Sequence, residues 1–328
     1  MTGSNTKLVM YMVGAFVLFI TWDSYGVINT GSRGLNVIDP LRIADQARSH
    51  TIQEGGKSIE DIVVQCQPIS AEEKQELAKE IKHYESMQKF HDKIKETKGE
   101  TGLAAHHKSI IKYLKEKVLK KGWSVLDLGA ASGGMLRSII DAYNEMDELK
   151  GPHGKFQAVE LVTGWVTFAQ EFFSDKDRFG DVSFVEGDIT DFTLDDPDAT
   201  FDFVMLNDVM EHLQQKRYGC FFNKLKTVTH EGSIVYMHTP TPEAQLHDKD
   251  QFYENVLPHH LLISGMANAG FELVTFEHDM DTECFGHPMK GLPRQIEGGG
   301  CYMGGWIKYY HATFVRASNK GLYQLNAS

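Results

Sequence analysis

Polar side chains stand at the ends of four short apolar stretches, where each is placed to bind part of a ligand. They are Asp127, Glu160, Asp188 with Ile189 after it, and Asn207 with Asp208. In an open parallel sheet, ligands bind outside the carboxyl ends of the strands. Carboxylates accept hydrogen bonds, which suits an ammonium group at Asp127, ribose hydroxyls at Glu160 and an adenine amino group at Asp188. The sequence therefore predicts one nucleoside-binding site, with Asn207 and Asp208 beside the reacting centre.

Small residues follow Asp127 and predict a tight turn between a buried strand and a helix. Gly129, Ala131 and Gly133 lie in this turn, and a helical pattern begins at Met135. The pattern Gly129-x-Ala131-x-x-Gly134 is one substitution from the dinucleotide fingerprint of NAD enzymes, which places a pyrophosphate on the helix terminus. Asp127 would repel a pyrophosphate but would accept a hydrogen bond from the ammonium group of S-adenosylmethionine (SAM). The turn alone therefore leaves two cofactors to compare.

Strands and helices alternate from Trp123 onward, which predicts a mostly parallel sheet covered by helices on both faces. The predicted strands end at Leu128, Leu161, Val185, Leu206, His238, Phe276 and Val315. The predicted helices between them begin at about Met135, Trp165, Gln214 and Leu261. Two further helices, from Ser70 to about Lys95 and from about Ala104 to Lys120, are expected before the sheet.

The motifs at the strand ends resemble those of the class I SAM-dependent methyltransferases over about residues 104–317. They are Asp127-x-Gly129-x-x-x-Gly133, Glu160, Gly187-Asp188-Ile189, Phe201-Asp202-Phe203-Val204 and Glu211-His212-Leu213. The resemblance implies an α/β, Rossmann-like methyltransferase fold with a mostly parallel seven-stranded sheet and N-terminal helices before it. It also implies that SAM is the methyl donor. The implied SAM-binding residues are Asp127, Gly129, Ala131, Gly133, Glu160, Asp188, Ile189 and Asn207.

One position departs from the family pattern, and two other classes of protein stay open at this point. Ala131 stands where a second glycine is usual, and a small residue is expected to be tolerated there. An NAD-dependent dehydrogenase is one alternative, because Glu160 lies only slightly farther along the chain than the ribose-binding carboxylate of those enzymes. A protein that binds SAM without turning it over is the other.

The chemistry of methyl transfer directs attention to titratable groups at the same strand ends. Transfer to a hydroxyl or an ammonium group requires removal of a proton, whereas transfer to a thioether does not. The candidate catalytic residues are Asp208, His212 and His238, with His259 and His260 as further candidate bases. The predicted function is methyl transfer to oxygen or sulfur of a small molecule, with thioether or thiol acids among the acceptors. A quinone-like or other lipid substrate at a membrane is the alternative.

Asp208, Glu211 and His212 would share one face of a helix and could together hold a divalent ion. Their pattern is similar to the Glu-x-x-Glu-His of the coenzyme Q O-methyltransferases, where a metal helps to bind a catechol. Glu-His-Leu also occurs in metal-free relatives. The sequence therefore commits to no metal ligand and leaves a divalent ion open.

Two segments are predicted to cover the substrate as lids, residues 240–258 and residues 278–305. The second is rich in glycine and contains Cys284, His287 and Cys301. The spacing of these three residues fits no compact zinc site.

The N-terminal region contains an uncharged run of 15 residues from Leu8 to Trp22. A bilayer-spanning helix needs about 20 apolar residues, so the run fits a signal peptide or a short signal anchor. The predicted organisation is a signal peptide or anchor at 1–26, a linker or targeting extension at 27–69 and a methyltransferase domain at 70–328. The protein is therefore expected to associate with a membrane or to be targeted to an endomembrane or organelle.

The formal net charge of −12 arises from 45 acidic and 33 basic residues. An acidic surface repels phosphate backbones, so a small molecule rather than nucleic acid is the expected partner. The cysteines at 66, 220, 284 and 301 form no CxxC pair. Their spacing predicts no disulfide framework.

Overall fold

A computed structural model describes the central part of the chain and shorter pieces on either side. The described residues are 10–13, 16–19, 66, 70, 72, 75, 77–79, 81–82, 85, 105–146, 154–242, 244–245, 259–279, 284–286, 305–307 and 309–317. The chain divides into two compact units, residues 1–37 and residues 38–328.

In the first unit, the strands β1 (Met10–Val13) and β2 (Phe16–Phe19) pair with each other in antiparallel register. They lie within the run that is expected to be a signal peptide or anchor, and they are extended rather than helical. Across the described residues, no helix combines the length and the apolar character that crossing a bilayer requires.

The second unit contains a seven-stranded sheet, which confirms the predicted fold. Its strands are β3 (Val125–Leu128), β4 (Phe156–Glu160), β5 (Val182–Glu186), β6 (Phe201–Asn207), β7 (Thr229–Pro240), β8 (Phe271–His278) and β11 (Tyr309–Arg316). The order across the sheet is β5-β4-β3-β6-β7-β11-β8. Strands β3 to β7 pair in parallel, and β11 runs antiparallel to both β7 and β8. The strand order reverses between β3 and β6: β4 and β5 are added on one side of β3, and β6 and β7 on the other. Ligands bind at this switch point in such folds.

Helices cover both faces of this sheet, because successive strand residues point to opposite sides and both sides are apolar. The helices are α1 (Ala105–Tyr113), α2 (Gly134–Glu145), α3 (Thr163–Phe172), α4 (Lys176–Phe179), α5 (Tyr218–Thr227) and α6 (His259–Asn268). Helix α1 continues as a π-helical turn, Leu114–Val118. One buried cluster joins α1, α2 and α3 to the sheet, and the other joins α5 and α6 to its opposite face.

Helix α5 begins later than the sequence predicts, at Tyr218 instead of about Gln214. Two short 3-10 turns, Met210–His212 and Gln215–Arg217, occupy the residues between β6 and α5. Among the described residues between 72 and 85, the helix predicted from Ser70 is present.

The spacing of the cysteines leaves their pairing open, and the structure pairs two of them. Cys66 and Cys220 form a disulfide, with Cα atoms 4.2 Å apart and a sequence separation of 154. Cys220 lies in the buried face of α5. No spacing rule connects two single cysteines so far apart, so the pairing depends on the tertiary fold.

Most of both predicted lids lies outside the described residues. In the second lid, β9 (Cys284–Gly286) pairs with β10 (Gly305–Ile307) in antiparallel register. The described ends of this segment therefore come together as a two-stranded ribbon.

Candidate functional site

The glycine turn after β3 is held against the neighbouring strand by its backbone. The N–H groups of Gly129 and Ala130 donate to the carbonyl of Val159, at 2.8 and 3.2 Å. Gly129 has φ 77° and Ala131 has φ 47°, so both adopt the left-handed region. A Cβ on Gly129 would lie 2.5 Å from Cγ2 of Val209, so Val209 would have to move to admit a side chain there. This packing fixes the turn at the carboxyl end of β3.

Asp127 and Glu160 are buried beside this turn, with exposures of 1% and 5%. Glu160 accepts hydrogen bonds from the N–H of Ala131 at 2.8 Å and from that of Val162 at 2.9 Å. Burial, and then the charge of Glu160, raise the pKa of Asp127 to about 8. Burial also raises the pKa of Glu160, against the lowering effect of its backbone hydrogen bonds. Two neighbouring buried carboxyls thus lie where the sequence predicts the cofactor.

These residues fit SAM. Oδ2 of Asp127 is buried and has no hydrogen-bond partner among the described residues. An ammonium group would satisfy this oxygen and would offset the desolvation that raises the pKa of Asp127. Each carboxylate oxygen of Glu160 has used one lone pair on a backbone N–H, so each can still accept a ribose hydroxyl.

Asp188 stands after β5, and both of its carboxylate oxygens already have partners. Oδ1 accepts from the backbone N–H and hydroxyl of Thr190, at 2.9 and 2.7 Å. Oδ2 accepts from Nη1 of Arg217 at 2.7 Å, and the same guanidinium donates to Thr190. Ile189 packs partly buried against the core. Adenine recognition at Asp188 and Ile189 stays a prediction. An adenine amino group that donates to Asp188 would share the carboxylate oxygens with the donors from Thr190 and Arg217.

Asn207 ends β6, and the next residue turns the chain sharply. Asp208 has φ 54°, and its N–H donates to the carbonyl of His238 at 2.9 Å. Its Oδ1 lies 2.7 Å from Nδ1 of His238, and its Oδ2 accepts from Nδ2 of Asn207 at 3.4 Å. Asn207 and His238 are register partners on adjacent parallel strands. The structure therefore brings together the candidates Asp208 and His238 next to the predicted methyl-transfer position.

His238 is fully buried between two carboxylates, since its Nε2 lies 3.6 Å from Oδ2 of Asp279. Burial lowers the pKa of His238, but the charges and hydrogen bonds of Asp208 and Asp279 outweigh it and raise the pKa to about 9. This imidazole therefore keeps its proton at neutral pH. A protonated, buried ring cannot remove a proton from an acceptor, but it can hold Asp208 in place.

Behind His238, the same network continues into the sheet. Oδ2 of Asp279 lies 3.6 Å from Nε2 of His311 and accepts from the hydroxyl of Ser109 at 2.7 Å. Nδ1 of His311 lies 2.5 Å from the hydroxyl of Tyr236. Burial raises the pKa of Asp279, yet hydrogen bonds from His238 and His311 bring it below its ordinary value. Burial lowers the pKa of His311, so this ring is neutral.

His212 lies on the 3-10 turn after Asp208 and is partly exposed, and its catalytic role stays a prediction. The expected common helical face for Asp208, Glu211 and His212 is absent, because Asp208 is left-handed. Glu211 is 2% exposed and accepts from the hydroxyl of Thr239 at 2.9 Å. The part of the chain that the structure describes contains no cluster of three or more His, Cys, Asp or Glu side chains arranged for a metal ion.

Sequence reasoning missed Ser109, Asp279, His311 and Tyr236. One signal was available, because Tyr236 and His238 are two residues apart on a strand and so share a face. His311 is the register partner of His238 on β11. That pairing depends on the antiparallel strand order, which no local pattern specifies.

Comparisons with known proteins agree with this geometry. A family model described as a methyltransferase domain matches residues 119–297, more than half of the chain. Over 150 residues the chain is 25% identical to (S)-tetrahydroprotoberberine N-methyltransferase from Eschscholzia californica, an alignment that covers 44% of this chain. The chain spans only 39% of the length of that relative.

Two solved structures illustrate the structural similarity. An N-methyltransferase from Bradyrhizobium japonicum in complex with S-adenosyl-L-homocysteine is 11% identical, with a TM-score of 0.44 over 65% of this chain and 86% of that one. A magnesium protoporphyrin IX methyltransferase from Synechocystis with bound S-adenosyl-L-homocysteine is also 11% identical. Its TM-score is 0.43, over 65% of this chain and 82% of that one.

The family match decides between the cofactors that the glycine turn left open, and the NAD-dependent dehydrogenase is set aside. The buried Asp127, the adjoining Glu160 and the turn between them lie within the matched residues. The chain therefore belongs to the methyltransferase domain family, within the class I SAM-dependent methyltransferases.

Proposed function

We propose that this enzyme methylates a heteroatom of a small molecule, and that the heteroatom carries a proton before transfer. The observation that supports this most directly is the pair Asp208 and His238, which holds a carboxylate and a protonated imidazole at the end of β6. A thioether acceptor would need no such groups. Hydroxyl, thiol and ammonium acceptors are therefore favoured over the thioether acids expected from the sequence.

Oxygen and sulfur remain the acceptors that the sequence predicts, and nitrogen joins them. The relative from Eschscholzia californica is named as an N-methyltransferase. An amine is protonated in water near pH 7, so it too must lose a proton before its lone pair can attack. The buried network around Asp208 suits each of these three acceptors.

The residues of the chain perform three tasks in this reaction. When bound, SAM supplies a methyl group on a sulfonium centre. Asp127 would hold the ammonium group of the bound cofactor, and Glu160 would hold its ribose hydroxyls. Asn207 and Asp208 border the position of the acceptor, and a displacement reaction gains rate from holding the nucleophile in line. Helix α1 covers this edge, since Ser109 contacts Asp279, and so helps to exclude water.

A transfer assay with labelled SAM and fractionated metabolite extract tests the proposal. Incubation of the full chain is expected to label one small molecule, and mass spectrometry of that product identifies the methylated atom. Asp127→Ala serves as the control that should not transfer label. A labelled sulfonium product from a thioether would contradict the requirement for a proton on the acceptor.

Membrane association and a quinone-like or other lipid substrate rest on the run from Leu8 to Trp22 alone. Co-sedimentation of the full chain with phosphatidylcholine vesicles measures this directly. Recovery of the protein only in the supernatant would count against both ideas.

A further inference from the structure

Helix α1 brings a histidine from the N-terminal side of the sheet to the carboxylate at the end of β6. Nε2 of His107 lies 3.8 Å from Oδ2 of Asp208, and the two side chains are 21% and 24% exposed. This oxygen is not the one that His238 occupies. Asp208 therefore lies between two imidazoles, one deeply buried and one partly open to solvent.

The position of α1 is fixed by contacts of two residues that follow His107 on the helix, Ser109 and Tyr113. The hydroxyl of Ser109 donates to Asp279 at 2.7 Å. The ring of Tyr113 stacks on that of His311, with centroids 4.3 Å apart and planes inclined by 2°. The hydroxyl of Tyr113 also lies 3.0 Å from that of Thr275. Helix α1 thus docks on the two strands β8 and β11, which holds His107 close to Asp208.

Chemistry assigns different tasks to the groups around Asp208. His238 is already protonated, so it has no lone pair for the acceptor's proton. A carboxylate that is bound by a buried imidazolium is a weak base, because the cation stabilises its charged form. The same carboxylate is well suited to orient a second imidazole, as in the pairs that activate nucleophiles in hydrolases.

We propose that His107 is the catalytic base of methyl transfer and that Asp208 orients its ring. The inference rests on the proposed function, in which the acceptor loses a proton. In the step, the bond between sulfur and methyl breaks and a bond between methyl and the acceptor heteroatom forms. The electron pair of the broken bond stays on sulfur, giving S-adenosylhomocysteine. The acceptor's proton passes to Nδ1 of His107, because Nε2 is the nitrogen that faces Asp208.

Several charged or titratable groups face this pair and contribute to its pH dependence. They are Asp208 after β6, His238 on β7, Asp279 after β8 and His311 on β11. Two carboxylates and one imidazolium leave one net negative charge beside His107, which favours the protonated ring that forms during the reaction. The negative charge closest to His107 is that of Asp208.

A nuclear magnetic resonance titration of histidines tests the pair without any acceptor. The full chain is labelled with 15N-histidine, and S-adenosylhomocysteine is added as the probe that fills the cofactor site. The sample is then titrated with pH. At 3.8 Å, loss of one charge removes a substantial attraction to an imidazolium even at the dielectric constant of water. Asp208→Asn is therefore expected to move the His107 titration to lower pH by about one unit. Asparagine also tolerates the left-handed backbone of this position.

A matched control comes from a similar pair at the opposite, amino-terminal ends of the parallel strands. Nε2 of His230 lies 3.2 Å from Oδ1 of Asp202, near the starts of β7 and β6. His230→Gln removes a histidine that is paired with an aspartate but that lies away from the cofactor site. It should leave both the His107 titration and turnover unchanged.

Turnover of the acceptor found with labelled SAM completes the test. His107→Gln is expected to lower kcat roughly 100-fold or more, with partial rescue by added imidazole and an unchanged Kd for SAM. A rate for His107→Gln within threefold of wild type would overturn the assignment of His107 as the base. So would a His107 titration that Asp208→Asn does not move. Absence of label transfer by the wild-type chain would overturn the proposed function, and the base with it.

Discussion

Asp127→Asn should make the cofactor-free protein more stable and should weaken the binding of SAM. Asp127 is buried without a partner for Oδ2, and its pKa rises from an ordinary 3.8 to about 8. Between these pH values the folded chain binds more protons than the unfolded chain, so its stability falls as pH rises. At pH 7, about three pH units above the ordinary pKa of Asp127, the accumulated loss of folding stability is at most about 4 kcal/mol. Asp127→Asn removes this penalty.

The gain in stability should therefore depend on pH in a defined way. Relative to wild type, Asp127→Asn is expected to gain nothing near pH 4, to gain increasingly up to pH 8 and to level off above it. Urea unfolding of the cofactor-free protein at several pH values measures the difference directly. Asp195→Asn makes the same chemical change at an exposed carboxylate and should leave the free energy of unfolding unchanged.

Cofactor binding should change in the opposite direction. An ammonium group on an ionised carboxylate is worth about 1.5–3 kcal/mol, so Asp127→Asn should weaken SAM binding by about tenfold to hundredfold. Wild-type affinity for SAM should also rise from pH 6 to 8, because Asp127 must release its proton on binding, and this rise should vanish in the variant. Calorimetry across this pH range measures both effects. Equal stability at pH 7 together with an unchanged Kd would refute the reasoning.

Two further predictions concern packing and covalent structure. Gly129→Ala should lower the free energy of unfolding by about 1–3 kcal/mol, because its Cβ would meet Val209 in a left-handed residue. Val209→Ala should recover part of the loss. If a double-mutant cycle shows no recovery, the clash is not the cause. Replacing Cys66 and Cys220 by serine should cost about 2–4 kcal/mol in thermal unfolding without reductant. Peptide mapping that found both thiols free in the purified protein would contradict the pairing.

The sequence predicts the strand-end residues well because one physical rule fixes them. Parallel strands present their carboxyl ends at the same sheet edge, so Asp127 and Glu160 must approach each other once their strands are adjacent. Their chain positions and the apolar stretches before them contain the needed information. The pairing of Asp208 with His238 follows in the same way, because β6 and β7 are neighbouring parallel strands.

The rest of the site depends on contacts that no local pattern encodes. His107 precedes the sheet and reaches Asp208 only because α1 packs across the strand ends. Asp279 and His311 enter through β8 and the antiparallel β11, whose order in the sheet is fixed by the tertiary fold. Periodicity therefore predicts the cofactor side of the site and misses the side that holds the proposed base.

Backbone conformation adds evidence about where ligands bind. Among the described residues, the non-glycine residues with positive φ are Ala131 and Asp208. Each costs about 1–2 kcal/mol relative to an ordinary conformation, and such a cost persists only where the surrounding structure enforces it. Ala131 is bound through its N–H by Glu160, and Asp208 through its N–H and side chain by His238. Both strained residues thus lie at the strand ends where cofactor and acceptor are expected to meet, which favours selection for function over stability at this edge.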